Sequence, residues 1–308
     1  MEKEYIFGVD VGGTSIKAGM FTTDGTLLDK WQIPTDKSRD GNNILPDIAG
    51  SLKNKMNQKG IDKERFIGVG VGVPGPVDKN GIVHRCVNLG WGVFSIADCM
   101  AELTGMKVMA SNDANVAALG EMWKGSGMGF KNIVFITLGT GVGGGIVCDG
   151  RLIVGENGSA GEIGHITVDI NEKSQCTCGK HGCLEQYASA TGMAAQARKL
   201  IESGMETSLN DVNAKAIVDG AKKGDELCLL VMEKMGYALG LGLSHAGEIC
   251  DPEVYIIGGG VSKAGDFILG FIEKYYKEYS FHAVRNAKFK IASLGNDAGI
   301  YGAAGLLL

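Results

Sequence analysis

Thr137-Leu138-Gly139-Thr140-Gly141-Val142-Gly143-Gly144-Gly145 contains a formal Gly-x-Gly-x-x-Gly. That pattern opens a dinucleotide-binding βαβ unit only when a helix follows the glycines at once. Here Ile146-Val147-Cys148-Asp149-Gly150 follows, β-branched and quickly turning, so no helix starts. The stretch reads instead as a strand (Ile133–Leu138), a turn (Gly139-Thr140-Gly141) and a return strand (Gly143–Cys148). A glycine turn of this kind exposes backbone N–H groups, which suits a phosphate.

Roughly 125 residues upstream the same pattern stands at the head of the chain. Tyr5–Val11 is apolar and β-branched, Gly12-Gly13 turns, Ser15–Phe21 returns, and Leu27–Ile33 follows the Asp24-Gly25 turn. The echo predicts two related α/β domains facing each other across a cleft, residues 1–111 forming one and 112–294 the other. A terminal helix within 295–308 completes the first. Between the hairpins, Asn43–Gln58 has helical spacing, Phe66–Val73 and Lys107–Ser111 read as strands, and a helix runs from Asp113 to Trp123 with Gly125 as its stop. The second half is mainly helical, over Ser189–Ser203, Asp211–Lys222, Asp225–Glu248, Ala264–Tyr279 and Ala298–Leu308. Strands interrupt it at Val254–Ile257 and Phe289–Ser293.

Composition narrows the function. Glycine makes up 49 of 308 residues, about 16% against an ordinary share near 7%, and it clusters at the ends of apolar runs. With a formal net charge of −5 and no clustered basic face, a nucleic-acid partner is not expected. Met1-Glu2-Lys3-Glu4 has no leader pattern, and the longest uncharged run, Asn132–Cys148, is too short and glycine-rich for a membrane span. A cytoplasmic setting follows, in which the eight cysteines serve as thiols or metal ligands rather than disulfides.

Four constellations carry chemistry. Asp10-Val11-Gly12-Gly13-Thr14 puts backbone N–H groups and a hydroxyl at a turn, beside an aspartate suited to a phosphate-bound Mg²⁺; a plain polar hairpin turn has the same composition. The 137–145 hairpin is a second phosphate turn. In Ser111-Asn112-Asp113-Ala114-Asn115, an aspartate at a strand end suits a base for a substrate hydroxyl, and equally a helix N-cap. The most specific is His165 followed by Cys176-Thr177-Cys178-Gly179-Lys180-His181-Gly182-Cys183. Three thiolates and one imidazole at short spacing match a closed tetrahedral Zn²⁺ site, with His165 and His181 as rivals for the fourth place. Such a knot would bring Glu162 and Glu185 together, a carboxylate pair suited to several sugar hydroxyls.

Taken together, these residues resemble the ROK family of sugar kinases and repressors. The resemblance spans the chain from Asp10 to the terminal helix. Gly161-Glu162-Ile163-Gly164-His165 with Cys176–Glu185 is its most specific part, beside Asn112-Asp113 and Ile257-Gly258-Gly259-Gly260-Val261-Ser262. Asn88-Leu89-Gly90-Trp91, Asn112–Asn115 and Ala118–Lys124 are similar to the zinc-containing glucokinases of that family. The resemblance implies an actin-like ATPase fold of the ribonuclease H-like kind and ATP-dependent phosphorylation of glucose at its 6-hydroxyl. Mannose, N-acetylglucosamine or N-acetylmannosamine are alternative acceptors. It implies Asp113 as catalytic base, and Asn88, Asn112, Glu162, His165 and Glu185 as sugar contacts. Asp10, Gly12, Gly13, Thr14, Lys17, Gly139, Thr140 and Gly141 would serve the phosphates and Mg²⁺, with Gly258, Gly259 and Gly260 near the adenosine. It gives Zn²⁺ to His165, Cys176, Cys178 and Cys183, and implies a dimer or tetramer. Only nine residues precede Asp10, so the DNA-reading winged helix of the family's repressors is not expected.

Overall fold

The computed structural model describes residues 3–308; Met1 and Glu2, the head of the expected leaderless N-terminus and first domain, lie outside them. The chain opens as an antiparallel meander of β1 (Tyr5–Val11), β2 (Ser15–Thr22) and β3 (Leu27–Pro34), in a register that sets Asp10 opposite Lys17. After α1 (Ile44–Lys59), β4 (Phe66–Val73) runs parallel to β1. A short ribbon, β5 (Ile82–Val83) with β6 (Phe94–Ser95), precedes α2 (Ile96–Thr104), and β7 (Val108–Asn112) completes a sheet of order β3-β2-β1-β4-β7.

After α3 (Asp113–Lys124) the plan repeats. The strands β8 (Ile133–Leu138), β9 (Val142–Cys148) and β10 (Arg151–Ile153) form the second meander. Four helices follow: α4 (Glu185–Ala188), α5 (Ala190–Glu202), α6 (Ala214–Lys222) and α7 (Glu226–Cys250). Then come β11 (Val254–Gly258), α8 (Asp266–Tyr279), β12 (Lys288–Ile291) and α9 (Ala298–Gly305). The second sheet has the order β10-β9-β8-β11-β12, matching the first position for position. The sequence echo is thus a repeated topology, and the architecture is the actin-like fold expected.

Burial follows strand position. β4, an interior strand between β1 and β7, is apolar and buried almost throughout, whereas β3 at the edge alternates half-buried and exposed residues. One core gathers β1, β4, α1 and α2 around Phe7, Val71, Ile48 and Met100; another packs β8 and β11 under α5 to α8 around Ile136, Leu239 and Tyr276. By length and composition α7 would cross a membrane, a candidate that sequence reading passed over, but most of its apolar window is buried in the second core.

Between the sheets lie two helices. α9 rests on β1 and β4, where a Cβ at Gly8 would stand 2.0 Å from Ile300 O and one at Gly70 only 1.7 Å from Ala303 O. α3 rests on β9 in the same way, with a Cβ at Gly145 falling 2.7 Å from Ala118 Cβ. The two helices also meet each other backbone to backbone, since a Cβ at Gly302 would lie 1.5 Å from Val116 O. Much of the glycine excess therefore serves close packing of main chains.

Candidate active site

The floor of the site is made where the two repeats meet. Asp113 is the first residue of α3, but it is Asn112 that caps the helix. Asn112 Oδ1 accepts from the N–H groups of Ala114 at 2.8 Å and Asn115 at 3.4 Å, and its Nδ2 donates to Gly75 O at 3.1 Å. Asp113 is thereby relieved of the cap, although its Oδ1 accepts from Ala114 N–H at 2.7 Å. Its side chain is open to the cleft, yet the surrounding protein strips away much of its hydration. That desolvation, with repulsion from Asp10 and Glu162, pushes its carboxyl up to about 6. Asp10, near the end of β1, is likewise raised by burial, an effect that the Lys17 ammonium across the strand pair opposes.

Asp10, Lys17 and Asp113 share a cavity of about 460 Å³ with Gly258–Gly260 and with the segment that runs from β12 into α9. Sequence reading missed Lys263 and Asn296 in its wall. Lys263 comes just after the glycine triplet, past Val261 and Ser262, while Asn296 comes from a turn with no motif, its carbonyl accepting from Lys17 Nζ at 3.0 Å. A neighbouring cavity of about 640 Å³ is bounded by Gly139, Thr140, Asn213 and Lys222, and shares Gly260 and Lys263 with the first.

The glycines of the 137–145 stretch divide by task. Gly139 N–H donates to Gly141 O at 3.0 Å, and Gly139 O accepts from Ala190 N–H at 2.8 Å, which ties the turn to the start of α5. Gly143 and Gly145 pack against Ala114 and Ala118 of α3, and Gly144 packs against Gly161 O. Of the turn glycines, Gly139 faces open space, while Gly141 lies against the Glu185 carboxylate. In the first hairpin, Thr35 braces the turn by donating from Oγ1 to Gly12 O at 2.7 Å, and a side chain at Gly13 would touch nothing. Gly12, Gly13 and Thr14 line neither cavity, nor does Asn88, which lies exposed on the turn Val87–Leu89.

Of the polar side chains anticipated from the sequence, Glu162, His165 and Glu185 gather around a sulfur-rich loop. His165 sits in the helical turn Ile163–His165, its Nε2 3.9 Å from Glu162 Oε2 and its Nδ1 3.8 Å from Cys176 Sγ. Cys178 and Cys183 bring their sulfurs to 3.6 Å, and the four ligand atoms of His165, Cys176, Cys178 and Cys183 all lie within 4.8 Å of one another. A tetrahedron with metal–sulfur bonds of about 2.3 Å has edges of about 3.8 Å, so the donor set fits Zn²⁺. His181 is exposed, pairs with Gln175 in an isolated bridge, and is not in the cluster. Glu185 joins the loop to the glycine turn, accepting from Val142 N–H at 3.0 Å and from Thr177 Oγ1 at 3.2 Å.

Residues 6–308 match the ROK family. Over its whole length the chain is 44% identical to a glucokinase of Halalkalibacterium halodurans, covering 96% of that protein. Among solved structures, a ROK hexokinase from Thermus thermophilus superposes with a TM-score of 0.84 at 31% identity, covering 97% of this chain and 96% of that one. A ROK family glucokinase from Streptomyces griseus, solved with glucose and AMPPNP, gives 0.77 at 32% identity, with 98% of each chain covered.

Proposed function

The chain belongs to the ROK family, and from that premise we propose that it transfers the γ-phosphoryl group of ATP to the 6-hydroxyl of glucose. The observation that carries this reading is the single cleft in which Asp10, from the first sheet, and Asp113, at the head of α3, stand with the Gly258–Gly260 turn.

In this mechanism the sugar lies between Asp113 and the sulfur-rich loop. Glu162, His165 and Glu185 receive its hydroxyls from one side, Asn112 and Asn88 from the other. The 6-oxygen attacks the γ-phosphorus, the bond to the β-phosphate oxygen breaks, ADP leaves, and the hydroxyl proton passes to Asp113. A carboxylate held near 6 suits that task, because phosphoryl transfer has a loose transition state and the proton moves late. Those N–H groups of the two glycine turns not used within the turns, together with the Lys17 ammonium, offset phosphate charge. Asp10 would hold Mg²⁺, which neutralises phosphate charge when bound. His165, Cys176, Cys178 and Cys183 would hold Zn²⁺ in a closed set with no open position, so its part is to keep Glu162, His165 and Glu185 in register. A dimer or tetramer in a cytoplasmic setting completes the reading.

The test is coupled ADP release over a panel of glucose, mannose, N-acetylglucosamine and N-acetylmannosamine. Glucose should give the highest kcat/KM. A wide preference for an N-acetylhexosamine, or no sugar-dependent release, would overturn the assignment.

A further inference from the structure

Glu121 is a fully buried carboxylate that the proposed mechanism leaves without a task. No Lys, Arg or His pairs with it among the described residues. Instead it collects donors. Oε2 accepts from Ser126 N–H at 2.8 Å, Ser293 N–H at 3.1 Å and Ser293 Oγ at 3.3 Å, while Oε1 accepts from Leu294 N–H at 2.8 Å. Both oxygens only accept, a pattern that a carboxylate satisfies and a carboxamide does not. The approach is built closely, for a Cβ at Gly125 would lie 2.0 Å from Oε2.

The segment it grips is a wall of the cleft. Ser293 and Leu294 stand between Ile291-Ala292 and Gly295-Asn296, all four of which line the cavity that holds Asp10 and Asp113. Ser126 adds a second tie, donating from Oγ to Ile291 O at 2.6 Å. Glu121 and Asp113 share α3, about 12 Å apart along its axis at 1.5 Å per residue.

We propose that Glu121 is a positioning residue for phosphoryl transfer: it fixes the 291–297 wall to the helix that carries the base, so that nucleotide and Asp113 keep one spacing. The inference rests on the kinase reading above. Its chemistry is specific, because an anion anchors a turn of main-chain N–H groups through bonds stronger than neutral ones.

The experiment compares Glu121→Gln and Gly125→Ala with the unmodified chain. The first keeps shape but turns a donor toward donors. The second keeps the carboxylate but pushes it aside together with the last turn of α3, since its Cβ also meets Glu121 Cα at 2.8 Å, at a backbone φ of −116° that alanine accepts. Calorimetry measures glucose alone and AMP-PNP alone, and steady-state kinetics give KM for each substrate with kcat. Both variants should weaken AMP-PNP binding and raise KM for ATP on the order of tenfold, with a fall in kcat and glucose affinity unchanged. Ser293→Ala removes only the Oγ donor, and should move KM for ATP in the same direction by about two- to threefold even where the other variants fold poorly. Unchanged nucleotide parameters in the folded variants would overturn the inference. So would equal losses for glucose and nucleotide, the mark of a merely structural side chain. An unmodified chain that bound no nucleotide would overturn the kinase reading itself.

Discussion

Glu185 spans two parts of the site with one carboxylate, taking the Val142 N–H at 3.0 Å on one oxygen and the Thr177 hydroxyl at 3.2 Å on the other. Gly141 makes this possible, since a Cβ there would sit 2.4 Å from Oε2. The glycine turn and the sulfur-rich loop therefore share an anchor. Glu185→Ala should raise KM for both ATP and glucose, each on the order of tenfold. Glu185→Gln can still accept from Val142 and should leave KM for ATP within about twofold. Steady-state kinetics with each substrate varied would decide; an unchanged KM for ATP in the alanine variant would detach Glu185 from the turn.

Asp113→Asn keeps the shape of the side chain and removes its capacity to take a proton. Turnover should fall by about 10²–10⁴-fold while glucose affinity stays close to that of the unmodified chain. Since Asn112 already caps α3, the helix should not suffer. Calorimetry of glucose binding beside the kinetics makes the check: much weaker binding would turn Asp113 into a sugar anchor, and full activity would remove it from the chemistry.

The same residue sets the acid limb of activity. Its carboxyl is pushed up to about 6 by desolvation first, then by Asp10 and Glu162, and the ionised form is the one that accepts a proton. Accordingly kcat/KM for glucose should fall as pH drops through about 6. Glu162→Gln removes one repelling charge, so the midpoint should move down. For folding the sign is reversed. The folded-state value lies above 3.8, so ionised Asp113 burdens the fold above about 6, and the burden lifts as pH falls from there toward 3.8. A pH profile whose midpoint ignored Glu162→Gln would point to another titrating group.

His165 and His181 can be separated by metal content. His181→Ala should keep one zinc per chain and near-normal turnover, because His181 stands outside the cluster. His165→Ala removes one of four donors and a sugar contact at once, so zinc retention on dialysis and glucose affinity should drop together. Elemental analysis after dialysis reads the first, calorimetry the second. The opposite pattern would move the ligand to His181.

Most of the fold could be read from the chain because the strands that matter are apolar runs bounded by glycine turns. Ile133–Leu138 and Phe66–Val73 begin and end where those apolar runs do. α2 was overlooked although Ser95 and Asp98 carry a capping signal; Ser95 Oγ does accept from Asp98 N–H at 3.1 Å. The run is short and follows a two-residue strand, so periodicity had little length to act on. At the site, residue type and spacing singled out the cysteines and Asp113 as candidates and left His165 and His181 as rivals, since metal and proton chemistry are restricted to few side chains. They did not reveal that Asn112 holds the cap, that Gly143 and Gly145 serve packing, or that Glu121 reaches Leu294. Each of those depends on a partner brought near only by the tertiary fold.

The seat of α9 on β1 and β4 has a consequence for how the protein is made. Main chain lies directly on main chain there, and Ile6 and Phe21 are covered by Ile300, Ala304 and Leu307. A ribosome delivers that cover about 225 residues after β4, on the order of 10–45 s later at ordinary elongation speeds. Through that interval the first sheet has one apolar face unsheltered, and its glycines offer a smooth surface to any passing strand. Nascent chains are thus exposed to chaperone capture or aggregation for most of their synthesis, and slowed translation downstream of β4 would lengthen the hazard.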